Sequence, residues 1–308
     1  MPINLPAGLP AAQLLDGAQI FALPQERAER QDIRPLEIGL LNLMPNKLNT
    51  EAQIARVLSN TPLQVNLTLV TTASYQPQNV SEAHLTNFYV TWEDIRERHF
   101  DGFIVTGAPV ELLEWTEVAY WDELTQIFDW QREHVHSSLF ICWGAQAALF
   151  HYYGIPKYPL EEKCHGVFRQ RVKTTGSPLQ RAFDDEFWVP VSRETETRRA
   201  DIAGHPALRI ESESEESGVS VVYDTDHHQV FSFNHPEYDS GSLGQEFLRD
   251  EAAGIARKLP QNYFPGDDPN RTPSVSWRAH GQLFYSNWLN LCVYQDISFD
   301  STTTGERT

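Results

Sequence analysis

Ser138-Leu139-Phe140-Ile141-Cys142-Trp143-Gly144-Ala145-Gln146-Ala147-Ala148-Leu149 is the stretch whose reading decides the fold. An apolar run meets a helix-forming run at the cysteine. A strand that ends where a helix begins puts the junction residue on a sharp turn at the top of a sheet. A thiol there faces the positive end of the helix dipole, which favours thiolate. Flanked by Phe140 and Ile141, Cys142 also fits the blander role of an inert core residue.

Working outward, strands and helices alternate. Leu36 to Leu43 reads as a buried strand. Asn49-Thr50-Glu51 offers a helix N-terminus, with Ala52, Ile54, Val57 and Leu58 as its apolar stripe. Val65 to Val70 alternates as a strand should, and Thr91 to Arg96 looks helical. Phe103-Ile104-Val105-Thr106 is a short strand closed by Gly107-Ala108-Pro109, and Trp121 to His134 is a helix. This alternation predicts an α/β fold, a mostly parallel sheet with helices on both faces. Ligands of such sheets bind beyond the carboxyl ends of the strands, where the Gly107 loop and the Cys142 turn both fall.

The flanks are less regular. The first thirty or so residues read as an arm over the domain. Phe187 to Val191 is a short strand, and the acidic, serine-rich run within Ala207 to Ser220 reads as a solvated edge or loop. Val219 to Tyr223 and Gln229 to Phe233 form a hairpin, Gly244 to Lys258 a helix, and Phe284 to Tyr294 an aromatic helix packed on the core. Residues 299–308 are polar and expected to fray. No repeat or composition break divides the chain, so residues 1–308 are read as one domain.

The bulk numbers exclude several functions. Over 308 residues the formal charge is −18, which disfavours nucleic-acid backbones and obliges an anionic ligand to find a local basic pocket. Lys163, Arg193 and Arg249 are candidates for that pocket. Three cysteines, at 142, 164 and 292, make no disulfide framework and fit a reducing cytoplasm. No Cys-x-x-Cys or His-x-x-x-His spacing suggests a metal. Neither a signal peptide nor a run of about eighteen apolar residues is present, so no membrane partner is expected.

His235-Pro236-Glu237 supplies a base with a carboxylate two residues on. In extended chain the two side chains share one side, so Glu237 can orient the imidazole while the imidazole activates the Cys142 thiol. Backbone N–H groups of Trp143 and the Gly107 loop can serve as an oxyanion hole. These are the parts of a nucleophilic acyl-transfer site, although a polar strand end with a surface glutamate fits His235 and Glu237 as well.

Asn42-Leu43-Met44-Pro45, Phe100-Asp101-Gly102, Thr106-Gly107-Ala108-Pro109, Val118-Ala119-Tyr120-Trp121, Cys142-Trp143, His235-Pro236-Glu237-Tyr238, Asn262-Tyr263-Phe264 and Ser286-Asn287-Trp288-Leu289-Asn290 occur in one order along nearly the whole chain. In these the sequence resembles the homoserine O-acyltransferases of the cysteine-nucleophile type, which are similar in fold to class I glutamine amidotransferases, a flavodoxin-like sandwich. The resemblance implies acyl transfer from acyl-CoA to the hydroxyl of L-homoserine at the start of methionine biosynthesis. It implies Cys142 as the acyl-thioester nucleophile, His235 as base and Glu237 as its support. It matches Lys163, Ser192 and Arg249 to substrate-contacting positions. It implies no cofactor, acetyl-CoA being a co-substrate, and a possible homodimer.

Relatives that use succinyl-CoA tend to carry glycine at the position of Glu111, and those that use acetyl-CoA carry glutamate, so acetyl transfer is expected. Departures from the family pattern stand at Asn46, Cys164, His165 and Asn234. They leave open L-serine as acceptor, one methylene shorter. Succinyl-CoA as donor, a glutamine amidotransferase or hydrolase, and a non-catalytic binding protein stay open as well. Phe140, where glutaminases carry glycine two residues before the cysteine, argues against the amidotransferase.

Overall fold

The computed structural model describes residues 3–5, 9–10, 22–24, 34–75, 80–255 and 258–296. Their strands are β1 (Ile3–Leu5), β2 (Ala22–Pro24), β3 (Leu36–Leu41), β4 (Val65–Thr71), β5 (Tyr89–Thr91), β6 (Phe100–Val105), β7 (Val135–Ile141), β8 (Tyr158–Val172), β9 (Glu186–Glu196), β10 (Leu208–Ser214), β11 (Gly218–Asp224) and β12 (Gln229–Ser232). They join one sheet in the order β2-β1-β4-β3-β6-β7-β12-β11-β10-β8-β9, with β5 also on β4. Pairing is parallel from β2 to β12 and antiparallel from β12 to β9.

The central strands send alternate residues into two cores, as the period of two requires. Ile104, Leu139 and Ile141 face a cluster built with helix α1 (Lys47–Leu58) and the aromatic C-terminal segment. Phe103, Val105 and Phe140 face the opposite cluster, built with α2 (Trp121–His134) and α3 (Trp143–Tyr153). Burial on both faces explains why these strands are short and almost wholly apolar. The α/β architecture with helices on both faces is the expected one.

Three expectations fail. The N-terminal arm is not merely draped over the domain: β1 and β2 lengthen the sheet beyond β4, and Leu9 is buried in the core. The acidic, serine-rich run is no loop. It contains β10, an interior strand between β11 and β8, in which Glu211 and Ser212 are fully buried. Burial is tolerable because Arg209 Nε donates to Glu211 Oε1 at 2.5 Å and the Glu211 carbonyl accepts from Lys173 N–H. Finally, α1 begins at Lys47 rather than near Asn49, because the side chain of Asn46 caps it by accepting from the Asn49 N–H. Residues 299–308 lie outside the described residues.

The strand-to-helix junction depends on one glycine. A Cβ on Gly144 would sit 2.6 Å from the Thr106 carbonyl oxygen, so α3 can approach the end of β6 only without a side chain there. Gly144→Ala is therefore expected to destabilise the fold by about 1–3 kcal/mol in urea unfolding.

Candidate active site

Cys142 sits where the sequence places it, between β7 and α3, with φ 52° and ψ −119°. A non-glycine residue at positive φ is strained, and here its N–H is anchored to the Ser232 carbonyl at 2.7 Å while its own carbonyl starts α3. The thiol points to Glu111 Oε1 at 3.6 Å and to the Ser192 carbonyl at 3.8 Å. Gly107, just after β6, lies against Cys142: a Cβ added there would sit 3.3 Å from the Cys142 Cβ and 3.7 Å from the Trp143 nitrogen.

His235 follows β12, the neighbour of β7 in the sheet. Its Nδ1 lies 2.7 Å from Glu237 Oε1, and its imidazole is close enough to Cys142 for the two groups to shift each other's charge. A carboxylate oxygen accepts here, so Nδ1 carries the proton of this bond and Nε2 is left free of it. The pairing does not come from extended chain as the sequence suggested. Residues 236–237 form a turn closed by Tyr238 N–H on the His235 carbonyl, and the turn brings the two side chains together.

This turn is seated by helix α5 (Arg278–Asn287). A Cβ on Gly281 would meet the Pro236 carbonyl oxygen at 2.3 Å, and Tyr285 from the same helix donates to Glu237 Oε2 at 3.4 Å. Tyr238 stacks on the imidazole, ring centroids 4.1 Å apart.

Charge states follow from burial and neighbours. Burial pushes the Cys142 thiol upward, and the Glu111 carboxylate adds to this, while His235 pulls it down. The net direction is up, so the helix dipole does not by itself give the resting thiolate that the sequence suggested. Burial opposes charge on His235, but Glu237 and Cys142 outweigh it and raise its pKa well above the usual histidine value. Burial also raises the Glu111 carboxyl, although the Glu194 N–H donates to it.

A cavity of about 460 Å³ opens over the sulfur, lined by the Gly107–Leu113 loop, Cys142, His235, Lys163, Ser192 and Arg249. Six of the seven expected site residues thus share one cavity, and Glu237 stands behind His235. Arg193, also a candidate, does not line it. It is buried and donates to the Asn234 side chain at 3.0 Å and to the Phe233 and Ser217 carbonyls.

Glu246, on α4 (Ser242–Ala252), is the residue that sequence reading missed. It accepts from Tyr238 OH at 2.6 Å and from Ser192 Oγ, and it lies 3.6 Å from both Lys163 Nζ and His165 Nε2. Lys163 also reaches Asp250 at 3.2 Å, and Asp250 holds Arg249 at 2.8 Å. The only available signal was the spacing of Glu246, Arg249 and Asp250 at three and four residues, which puts them on one helix face. The wall opposite the nucleophile therefore carries paired charges of both signs.

The family model for homoserine O-succinyltransferase matches residues 2–299. The homoserine O-acetyltransferase of Synechococcus sp. is 55% identical over 97% of this chain and 100% of its own length. That of Thermotoga neapolitana is 52% identical over 97% of this chain and 98% of its own, and that of Sinorhizobium fredii 51% over 99% of both. Among solved structures, a glutamine amidotransferase from Thermotoga maritima superposes with a TM-score of 0.55 at 12% identity, covering 84% of this chain and 99% of that one. A GMP synthase protein from Thermoplasma acidophilum gives 0.52 at 14%, covering 84% and 94%. At these identities the two structures speak for the fold alone.

The geometry makes the alkylation of Cys142 by iodoacetamide a direct readout, since only the thiolate reacts. Glu237→Gln removes the charge that favours the protonated form of His235, so the thiolate loses support and the pH profile moves to higher pH. Glu111→Gln removes a negative neighbour and moves it to lower pH. Mass spectrometry of the Cys142 peptide measures both, and shifts in the same direction would contradict the arrangement.

Proposed function

This chain belongs to the homoserine O-succinyltransferase family, and on that premise we propose that it transfers an acetyl group from acetyl-CoA to the hydroxyl of L-homoserine. The observation that carries the choice of acyl group is Glu111 Oε1 at 3.6 Å from the nucleophilic sulfur. A glutamate there fills the space beyond an acyl carbonyl. A succinyl carboxylate placed about 4 Å from an ionised Glu111 would be repelled by about 4 kcal/mol at an effective dielectric of 20. Because burial raises the Glu111 pKa, its bulk excludes the longer acyl chain even where its charge is lost.

The reaction divides into two thioester steps. In the form of the pair with a thiol and a neutral imidazole, His235 takes the Cys142 proton as the sulfur attacks the acetyl carbonyl. The carbon–sulfur bond to CoA breaks, and the proton passes from His235 to the departing CoA sulfur. The homoserine hydroxyl then attacks the acetyl-Cys142 thioester, gives its proton to His235, and the cysteine sulfur leaves and recovers it. Glu237 holds the imidazole in the required tautomer throughout. Arg249 and Lys163 take the amino-acid carboxylate, a role suited to a guanidinium, and Ser192 and Glu246 face the rest of the acceptor. Cysteines without disulfide partners and an acyl-CoA donor suit a cytoplasmic reaction. Among the described residues no helix is long and apolar enough to cross a membrane.

Initial rates with homoserine and serine, each paired with acetyl-CoA and succinyl-CoA, test the reading. Homoserine with acetyl-CoA should be fastest and should give parallel double-reciprocal lines. Cys142→Ala should lower kcat by about 10³-fold or more. Glu111→Gly should move preference toward succinyl-CoA. Equal rates with the two donors in the unaltered protein would overturn the assignment of the donor.

A further inference from the structure

At the opposite end of β7 from Cys142, three potential ligands converge. His136 stands at the start of β7, and His228 ends the β11–β12 turn at φ 52°. Asp296 follows the C-terminal π-helical turn Trp288–Tyr294. The β7–β12 ladder pairs Gln229 with Ser138, and this register sets the two rings face to face, centroids 5.0 Å apart. His228 Nδ1 lies 2.8 Å and His136 Nε2 3.4 Å from Asp296 Oδ2, and the three donor atoms lie within 4.8 Å of one another.

We infer that His136, His228 and Asp296 form a binding site for a divalent transition-metal ion of the zinc class, separate from the acyl-transfer site. Two observations carry this. The nitrogens His136 Nε2 and His228 Nδ1 are buried, yet neither makes a well-aligned hydrogen bond, the nearby carboxylate oxygen being in reach but poorly directed. The spacing is also close to that of a coordination sphere. Metal–ligand bonds of about 2.0–2.1 Å in a tetrahedron place ligand atoms about 3.3–3.4 Å apart. His136 and Asp296 already stand at that distance, His228 stands about 0.5 Å closer to Asp296 than that, and the two histidine nitrogens lie within 4.8 Å of each other, so the stacked rings turn about their side-chain bonds to share one ion. Two imidazoles and one carboxylate suit zinc and its first-row neighbours, and the partial exposure of all three residues leaves room for a water as fourth ligand.

Such an ion fastens the C-terminal segment to the amino-terminal ends of β7 and β12. Six residues of strand, about 20 Å, separate it from Cys142, so it acts on stability and not on the chemistry. Its ligands come from three distant parts of the chain, which is why no local spacing announced it.

The test uses tag-free full-length protein and its Cys142→Ser variant, titrated with Zn²⁺ by calorimetry and with Co²⁺ by absorbance. Both proteins should take up one ion per chain at this site. The Co²⁺ spectrum should lack thiolate charge transfer, and the ion should raise the melting temperature. His136→Gln and His228→Gln should weaken binding at least about tenfold and abolish the rise, with the acyl-transfer rate unchanged. Asp296→Asn, on a partly exposed side chain, gives the same readout should a histidine variant fail to fold. Absence of binding to the unaltered protein, or binding that survives these substitutions, overturns the inference. Loss of acetyl transfer in the unaltered protein would bear on the enzymatic reading and leave this one standing.

Discussion

The backbone at Cys142 is the constraint from which the site follows. A non-glycine residue at φ 52° costs on the order of 1–3 kcal/mol and persists only where its surroundings fix it. Here the strand order does so. β7 lies between β6 and β12, so the amide of Cys142 can bond across to Ser232 while Gly144 lets α3 start against the end of β6. The same order delivers the other parts. The loop after β6 brings Gly107 and Glu111, and the turn after β12 brings His235 and Glu237. Parallel neighbours release their chains at one edge of the sheet, so three loops far apart in sequence meet over one sulfur.

Electrostatics then decides what that sulfur can hold. The chain is strongly acidic, and the cavity is acidic too: Glu111, Glu194, Glu246 and Asp250 all reach it. It is not the basic pocket that an anionic ligand alone would ask for. Each cation stands beside a carboxylate, Lys163 with Glu246 and Asp250, Arg249 with Asp250. A buried ion is tolerated only with such partners. A ligand bearing both an ammonium and a carboxylate can exchange into this array sign for sign, whereas a simple anion would leave Glu246 facing it. Glu246 has Tyr238 and Ser192 as donors, so its carboxylate is held for a positive group without distorting His235, on which Tyr238 stacks.

The half of the fold that was legible in the sequence is the half whose strands are buried on both faces. Leu36 to Leu41, Phe100 to Val105 and Leu139 to Ile141 leave little alternative to a parallel interior. The antiparallel half was harder because its strands carry polar residues inward. In β10 the buried Glu211 and Ser212 imitate a solvated loop, since the sequence does not show Arg209 covering the carboxylate. β8 runs fifteen residues, and its charged stretch Glu161, Glu162 and Lys163 falls in the register break between Pro159 and Cys164, which local pattern does not reveal as strand. In the site, Cys142, His235 and Glu237 could be found from local pattern. Glu246 could not, because a glutamate in mid-helix is ordinary until its four neighbours are known.

The departures from the family pattern illustrate the same limit. Asn46 caps α1, its side chain accepting from the Asn49 N–H. Asn234 takes Arg193 on its carbonyl and gives its amide to Ser220 Oγ at 2.7 Å, fixing the approach to His235 from below. Cys164 pairs in register with Arg193 and does not line the cavity. Of the four, only His165 touches a charged residue lining the cavity, through Nε2 at 3.6 Å from Glu246. Discrimination between amino acids differing by one methylene is worth about 1–3 kcal/mol, a sum that a single altered neighbour of Glu246 can supply or remove. His165, Lys163, Ser192 and Tyr238 together hold the Glu246 carboxylate in the cavity wall, so a change at any of the four alters what that wall offers a ligand.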